Sequence, residues 1–177
     1  MKKYLVLSLA VVLIFGLGSV AWAASSDTQT VTITVDEIAA IDVTADTLTL
    51  TISTVTTAGA PPDDATDSSA YALYTSVVET GTRTIDAAIT TGTILAGLQL
   101  KLVATPPENC GSAVTGGVTF DADNTAGGSI ITGIGSCATG TTDGAQLTYT
   151  LSVTDFASLV VGTTDVTVTF TLTDAAA

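Results

Sequence analysis

The sequence predicts an all-β protein, an Ig-like or Greek-key β-sandwich of about nine or ten short strands preceded by a cleaved signal-peptide helix. Three observations carry this. Apolar and polar residues alternate with a period of two in run after run, as in strands with one buried face. Turn formers break these runs every 8–12 residues or so, the spacing of a sandwich. Threonine makes up more than a fifth of the chain beyond residue 23, while Glu, Lys, Arg, Gln and Met are nearly absent there. That is a strand-and-turn composition rather than a helical one.

Residues 1–23 read as a signal peptide. Lys2 and Lys3 form a positive start, Leu5 to Val20 an apolar run, and Ala21-Trp22-Ala23 a small-residue cleavage site. The run is short for a membrane span of ~20 residues. Removing 23 of 177 residues leaves 154, one domain over 24–177, enough to bury a core. Both lysines of the leader are lost and all 17 acids stay, so the formal charge moves from −13 to −15 against Arg83 and Lys101 alone. Such acidity argues against nucleic acid or an anionic membrane as partner, since phosphate binding needs Lys and Arg. The expected location is outside the cytoplasm: extracellular, cell-surface or periplasmic.

The first alternating run is Thr28 to Val35, with Val31, Ile33 and Val35 on one side and Thr30, Thr32 and Thr34 on the other. It stands at the start of the processed chain, so residues 24–36 pair either within their own domain or with a neighbour. A break at Asp36-Glu37 precedes Ile38 to Val43, consistent with a bend. Asp46 to Ser53 alternates through Leu48, Leu50 and Ile52, and a loop rich in Gly, Pro and Asp fills Thr57 to Ser69. Tyr71 to Val77 and Ile85 to Ile89 flank Thr80-Gly81-Thr82 and predict a hairpin. Leu98 to Val103 follows and stops at Pro106-Pro107, where the ladder lacks a donor. Val118–Phe120 and Ile130–Ile134 are two short strands in a glycine-rich region. Gln146 to Thr154 is a strand, Asp155 to Leu159 a single helical turn capped by Asp155, and Val166 to Leu172 the closing strand after a turn at Gly162 to Asp165. A transmembrane barrel shares the alternation but wants two aromatic girdles, which the six Tyr and Phe beyond residue 23 cannot furnish.

Chemistry is sparse. With no histidine, Ser-His-Asp and Cys-His arrangements are excluded. Glu37, Glu79 and Glu108 are the only glutamates and sit at predicted strand ends or loops, where solvation explains them better than glycosidase chemistry. The expectation is a non-enzyme without catalytic residues. Cys110 and Cys137 are an even pair in an exported chain and predict one disulfide. Asp121, Asp123 and Asn124 resemble the start of a calcium loop, with oxygen ligands at alternate positions. The glycine of such loops is displaced to Gly127, and Thr132 stands where a glutamate is needed; turn-forming Asp and Asn explain the stretch without metal. No cofactor is expected, with calcium the one alternative. Tyr71 and Tyr74 differ by three positions and face opposite sides, thin support for a sugar platform.

Two stretches carry a resemblance. Val31 to Asp42 resembles the N-terminal segment of bacterial chaperone–usher pilins, particularly the alternate-chaperone colonisation-factor group. Gly162 to Leu172 is similar to the closing strand of pilins and of spore-coat-protein-U-like domains. Ile134-Gly135-Ser136-Cys137 and Leu147 to Leu151 look like phrases of Thr-rich exported β-proteins of environmental bacteria. The acidic Pro61-Pro62 loop and the paucity of lysine depart from pilins. The resemblance implies that Thr28 to Val35 is a donor strand, with Val31, Ile33 and Val35 filling a neighbour's groove by β-augmentation. The expected function is then a non-catalytic structural subunit of a surface filament or extracellular matrix, its partner another copy of itself. The alternative is a monomeric binding or adhesin module working through its acidic loops, with calcium. Neither involves nucleic acid, or a membrane once the leader is removed.

Overall fold

A computed structural model describes residues 26–175. The expected signal peptide lies outside them. The chain divides into two units, Met1–Thr34 and Val35–Ala177. The second is a β-sandwich of ten strands, without a helix among the described residues.

In chain order the strands are β1 (Ile38–Val43), β2 (Ala65–Val77), β3 (Arg83–Thr91), β4 (Leu98–Thr105), β5 (Ser112–Ala113), β6 (Val118–Phe120), β7 (Gly128–Ile134), β8 (Cys137–Ala138), β9 (Ala145–Val153) and β10 (Thr167–Asp174). One sheet runs β1-β2-β9-β4-β6, with β8 also on β2; the other runs β10-β3-β7-β5. Every pairing is antiparallel.

Alternation explains the core. Along β3, Arg83, Ile85, Ala87 and Ile89 are buried while Thr84, Asp86 and Ala88 between them are only half-covered. Ala70, Ala72 and Tyr74 of β2, Leu100, Leu102 and Ala104 of β4, and Leu147 and Tyr149 of β9 meet them from the other sheet. At β7 the register slips by one against β3, with Ile85 opposite Ile131 but Asp86 opposite Ser129. The extra residue is Ile130, and this bulge turns both Ile130 and Ile131 into the core.

Three expectations are corrected. The runs around Thr80-Gly81-Thr82 are not a hairpin: β2 pairs β1, β8 and β9, β3 pairs β10 and β7, and the turn crosses between the sheets. Both strands already have ladder partners on each side, so the turn must join the layers. The run Asp46 to Ser53 is not a strand; Leu48 and Leu50 pack half-buried against the core, but their backbone joins no ladder. Asp155 to Leu159 is a turn without a helix, though Asp155 caps it as expected: its Oδ1 accepts from Ala157 N at 3.0 Å and its Oδ2 from the Ser158 hydroxyl. Those two bonds hold the Asp155 carboxyl below its ordinary range.

Candidate functional site

The donor residues named from sequence belong to no ladder among the described residues. Residues 26–37 join no strand among the described residues. Val31, Ile33 and Val35 are 69, 84 and 75 % exposed. Free valine and isoleucine faces of this kind are costly in water at roughly 25 cal/mol per Å² of apolar surface. The alternation expected of a strand is therefore present without a ladder partner among the described residues.

Where the chain enters the sandwich, one side chain organises the end. Arg83, at the first position of β3, is buried. Its Nε donates to Asp174 Oδ1 at 3.0 Å and its Nη2 reaches Glu37 Oε2 at 3.4 Å. Its Nη1 donates to the Ile38 carbonyl, the Val77 carbonyl and the Ser76 hydroxyl. Glu37 Oε1 in turn accepts from Glu79 N at 2.9 Å. Arg83 thus joins the first ladder residue of β1, the last of β2 and the last of β10. The signal for it was the inward register of β3, which puts position 83 on the same face as Ile85. Two of the three glutamates meet here, Glu37 through its carboxylate and Glu79 through its backbone N–H, while Glu108 is an exposed loop residue.

β1 and β10 are the outer strands of their two sheets, on the same side of the sandwich, and each has one ladder partner among the described residues. Their inward side chains are only half-covered: Ile41 and Val43 on β1, and Val168, Phe170 and Leu172 on β10. On β10 the outward face is threonine, and its hydroxyls pair with β3 across the ladder, Thr169 with Thr90 at 2.8 Å and Thr173 with Thr84 at 3.3 Å. A long edge strand with free backbone groups and partly open apolar slots is a template for strand addition.

Cys110 and Cys137 form the expected disulfide, with Cα atoms 5.6 Å apart. It ties the loop after β4 to β8, and Tyr74 inside the core donates its hydroxyl to the Cys110 carbonyl at 2.6 Å. Burial pushes the Tyr74 hydroxyl up to about 12. A disulfide fits an oxidising compartment. The Asp121, Asp123, Asn124 loop is closed on itself. Asp121 Oδ1 accepts from the backbone N–H of Asp123 and Asn124 at 2.9 and 2.8 Å, and Asn124 Nδ2 donates to the Thr119 carbonyl at 3.1 Å. Among the described residues no three acidic or cysteine side chains converge as metal ligands. Of the two tyrosines weighed as a sugar platform, Tyr74 is core and Tyr71 half-buried.

No family model, curated protein or solved structure matches this chain.

Proposed function

We propose that this protein is a secreted, non-catalytic structural subunit that assembles into a surface filament or matrix by β-strand addition, residues 28–35 of one copy pairing with the outer strand of the next. The observation that carries this reading is a match of spacing. Val31, Ile33 and Val35 are exposed at every second position. Val168, Phe170 and Leu172 are half-buried at every second position of β10, whose second edge has no ladder partner among the described residues. Eight residues of donor against the eight of β10 supply main-chain hydrogen bonds along their length and bury the three apolar side chains, while the period of two sets the register.

The test is size-exclusion chromatography with negative-stain microscopy on the processed protein. Concentration-dependent assembly is expected, and it is lost on deleting residues 25–35. A synthetic peptide of residues 26–37 should then bind the deleted protein and raise its melting temperature. A processed protein that stays monomeric at all concentrations, together with a deletion that neither changes stability nor accepts the peptide, rejects this function.

A further inference from the structure

Three neighbouring strands, β9, β4 and β6, contain no acidic residue, in a chain whose formal charge is near −15 once processed. The carboxylates stand at their ends: Glu108 in the loop after β4, Asp121 directly after β6, Asp143 before β9 and Asp155 after it. Leu100, Leu102 and Ala104 of β4, Val118 and Phe120 of β6, and Leu147 and Tyr149 of β9 are buried in the core. The residues between them therefore make up the outer face of this sheet.

Lys101 occupies the middle of that face. Its ladder neighbours are Thr150 of β9 and Thr119 of β6, and Gln99 stands two residues along β4. Both ion pairs among the described residues belong to Arg83, so the Lys101 ammonium meets no carboxylate there. Four residues along β9 from Thr150, Gln146 lies opposite Tyr71 of β2. Its Nε2 donates to the Ser68 carbonyl at 3.2 Å, which leaves its Oε1 as an acceptor. Tyr71 stands two strand spacings across and four residues along from Lys101, a span of about 16 Å at ordinary sheet dimensions. All six side chains are half-buried, covered on one side and open on the other.

We infer that this face binds an oligosaccharide that carries one carboxylate among neutral sugars, with the carboxylate on Lys101 and a neutral ring against Tyr71. Charge complementarity selects the carboxylate, since an ammonium without a partner on an acid-free face gains a charge-assisted hydrogen bond from it. The hydroxyls and side-chain amides around Lys101 match sugar hydroxyls, and the span to Tyr71 accommodates several rings. An acidic peptide is served less well. β9 and β4 are paired along both edges, so the face offers no free backbone groups to a strand. A densely charged polymer such as nucleic acid would set its other phosphates against the acids at the strand ends. The face belongs to the sheet that lacks β10, so it operates whether or not strands add there.

The experiment titrates the processed protein, followed by amide NMR, with sialyllactose and with a trisaccharide ending in glucuronic acid, each at millimolar concentration. Lactose is the neutral counterpart and an oligoglutamate peptide the acidic one. Shifts from either acidic sugar, centred on β4, β6 and β9, are expected, with little response to lactose. Lys101→Gln should weaken that binding by about tenfold or more at an unchanged melting temperature, and Lys101→Arg should restore it. Tyr71→Ala should weaken it by roughly three- to tenfold. Added salt should lower the affinity of the parent and leave the residual binding of Lys101→Gln unchanged. The inference is overturned if neither acidic sugar shifts the face, if Lys101→Gln binds as the parent does, or if lactose binds equally well. Equal, Lys101-dependent binding of oligoglutamate also overturns it and assigns the face to an acidic protein.

Discussion

The Arg83 guanidinium reaches the Glu37 carboxylate across 3.4 Å, two residues after the last exposed valine of the N-terminal run. Arg83 is buried and Glu37 is half-exposed, so the pair is asymmetric. The ionic contact itself contributes little at such a surface. What the cation does besides is more valuable: it donates to two backbone carbonyls and to the buried Ser76 hydroxyl.

Arg83→Met keeps the volume and removes those donors. The expected loss is roughly 2–4 kcal/mol, the range for breaking a buried hydrogen-bonded charge. Urea denaturation followed by circular dichroism measures it. Glu37→Gln should cost under about 1 kcal/mol, because its side chain is half in water. An equal loss from the two substitutions would place the stabilisation in the ion pair and contradict this division.

Reducing the disulfide should destabilise the sandwich by about 3–4 kcal/mol, the chain-entropy value for a closed loop of this size. Cys110→Ser with Cys137→Ser should melt at a lower temperature and lose the protection of the Tyr74 hydroxyl bond to the Cys110 carbonyl. Tyr74→Phe alone, with the bridge intact, should cost roughly 1–2 kcal/mol, because it leaves a carbonyl in the core without its donor. Melting curves with and without reductant separate the two effects.

Alkaline pH should unfold the protein through its tyrosines. Burial raises both Tyr74 and Tyr149 from 10.0 to about 12. Between those values the folded chain holds a proton that the unfolded chain has released, so stability falls as pH rises. The contribution is complete below pH 10 and gone above about 12, at an upper limit of roughly 3 kcal/mol per tyrosine. Stability measured from pH 9 to 12 should drop, and Tyr149→Phe should flatten that slope. A parent whose stability is constant over the window would show that neither hydroxyl is buried as described.

Much of this architecture was readable because burial writes itself into alternation. β3, β4, β9 and β10 were each visible within a residue or two, and Cys110 and Cys137 were an even pair with no competing ligand. Alternation records which face is covered, however, and not which strand lies alongside. Leu48, Leu50 and Ile52 alternate as well as any strand, yet their segment only leans on the core. The same blindness turned a crossing between sheets into an expected hairpin at Thr80-Gly81-Thr82. β5 and β8 are two residues each, too short to carry a period. Arg83 was seen as a remaining cation but not as a hub, since its partners are backbone carbonyls and residues up to 91 positions away.

Gly127 tests how the Asp121 loop is held. Its φ of 66° is in the left-handed region, and a Cβ there would run into the Ala87 carbonyl and crowd the Phe120 ring. Two residues earlier in the loop, Ile89 N donates to the Thr125 carbonyl at 2.9 Å, and one residue later Gly128 pairs with Ala87, so the segment is held to β3 on both sides of Gly127. Gly127→Ala must either move the backbone away from Ala87 or strain the turn, and roughly 2–3 kcal/mol should be lost. Asp121→Ala, which removes the acceptor for two backbone N–H groups at the exposed end of the same loop, should cost about 1 kcal/mol. If added calcium raises the melting temperature of the parent and Asp121→Ala abolishes the rise, the loop's carboxylate serves a metal as well as the turn. The geometry here leads to the opposite expectation, an unchanged melting temperature with calcium, because Asp121 Oδ1 already accepts from two N–H donors and, among the described residues, no three acidic side chains converge on the loop.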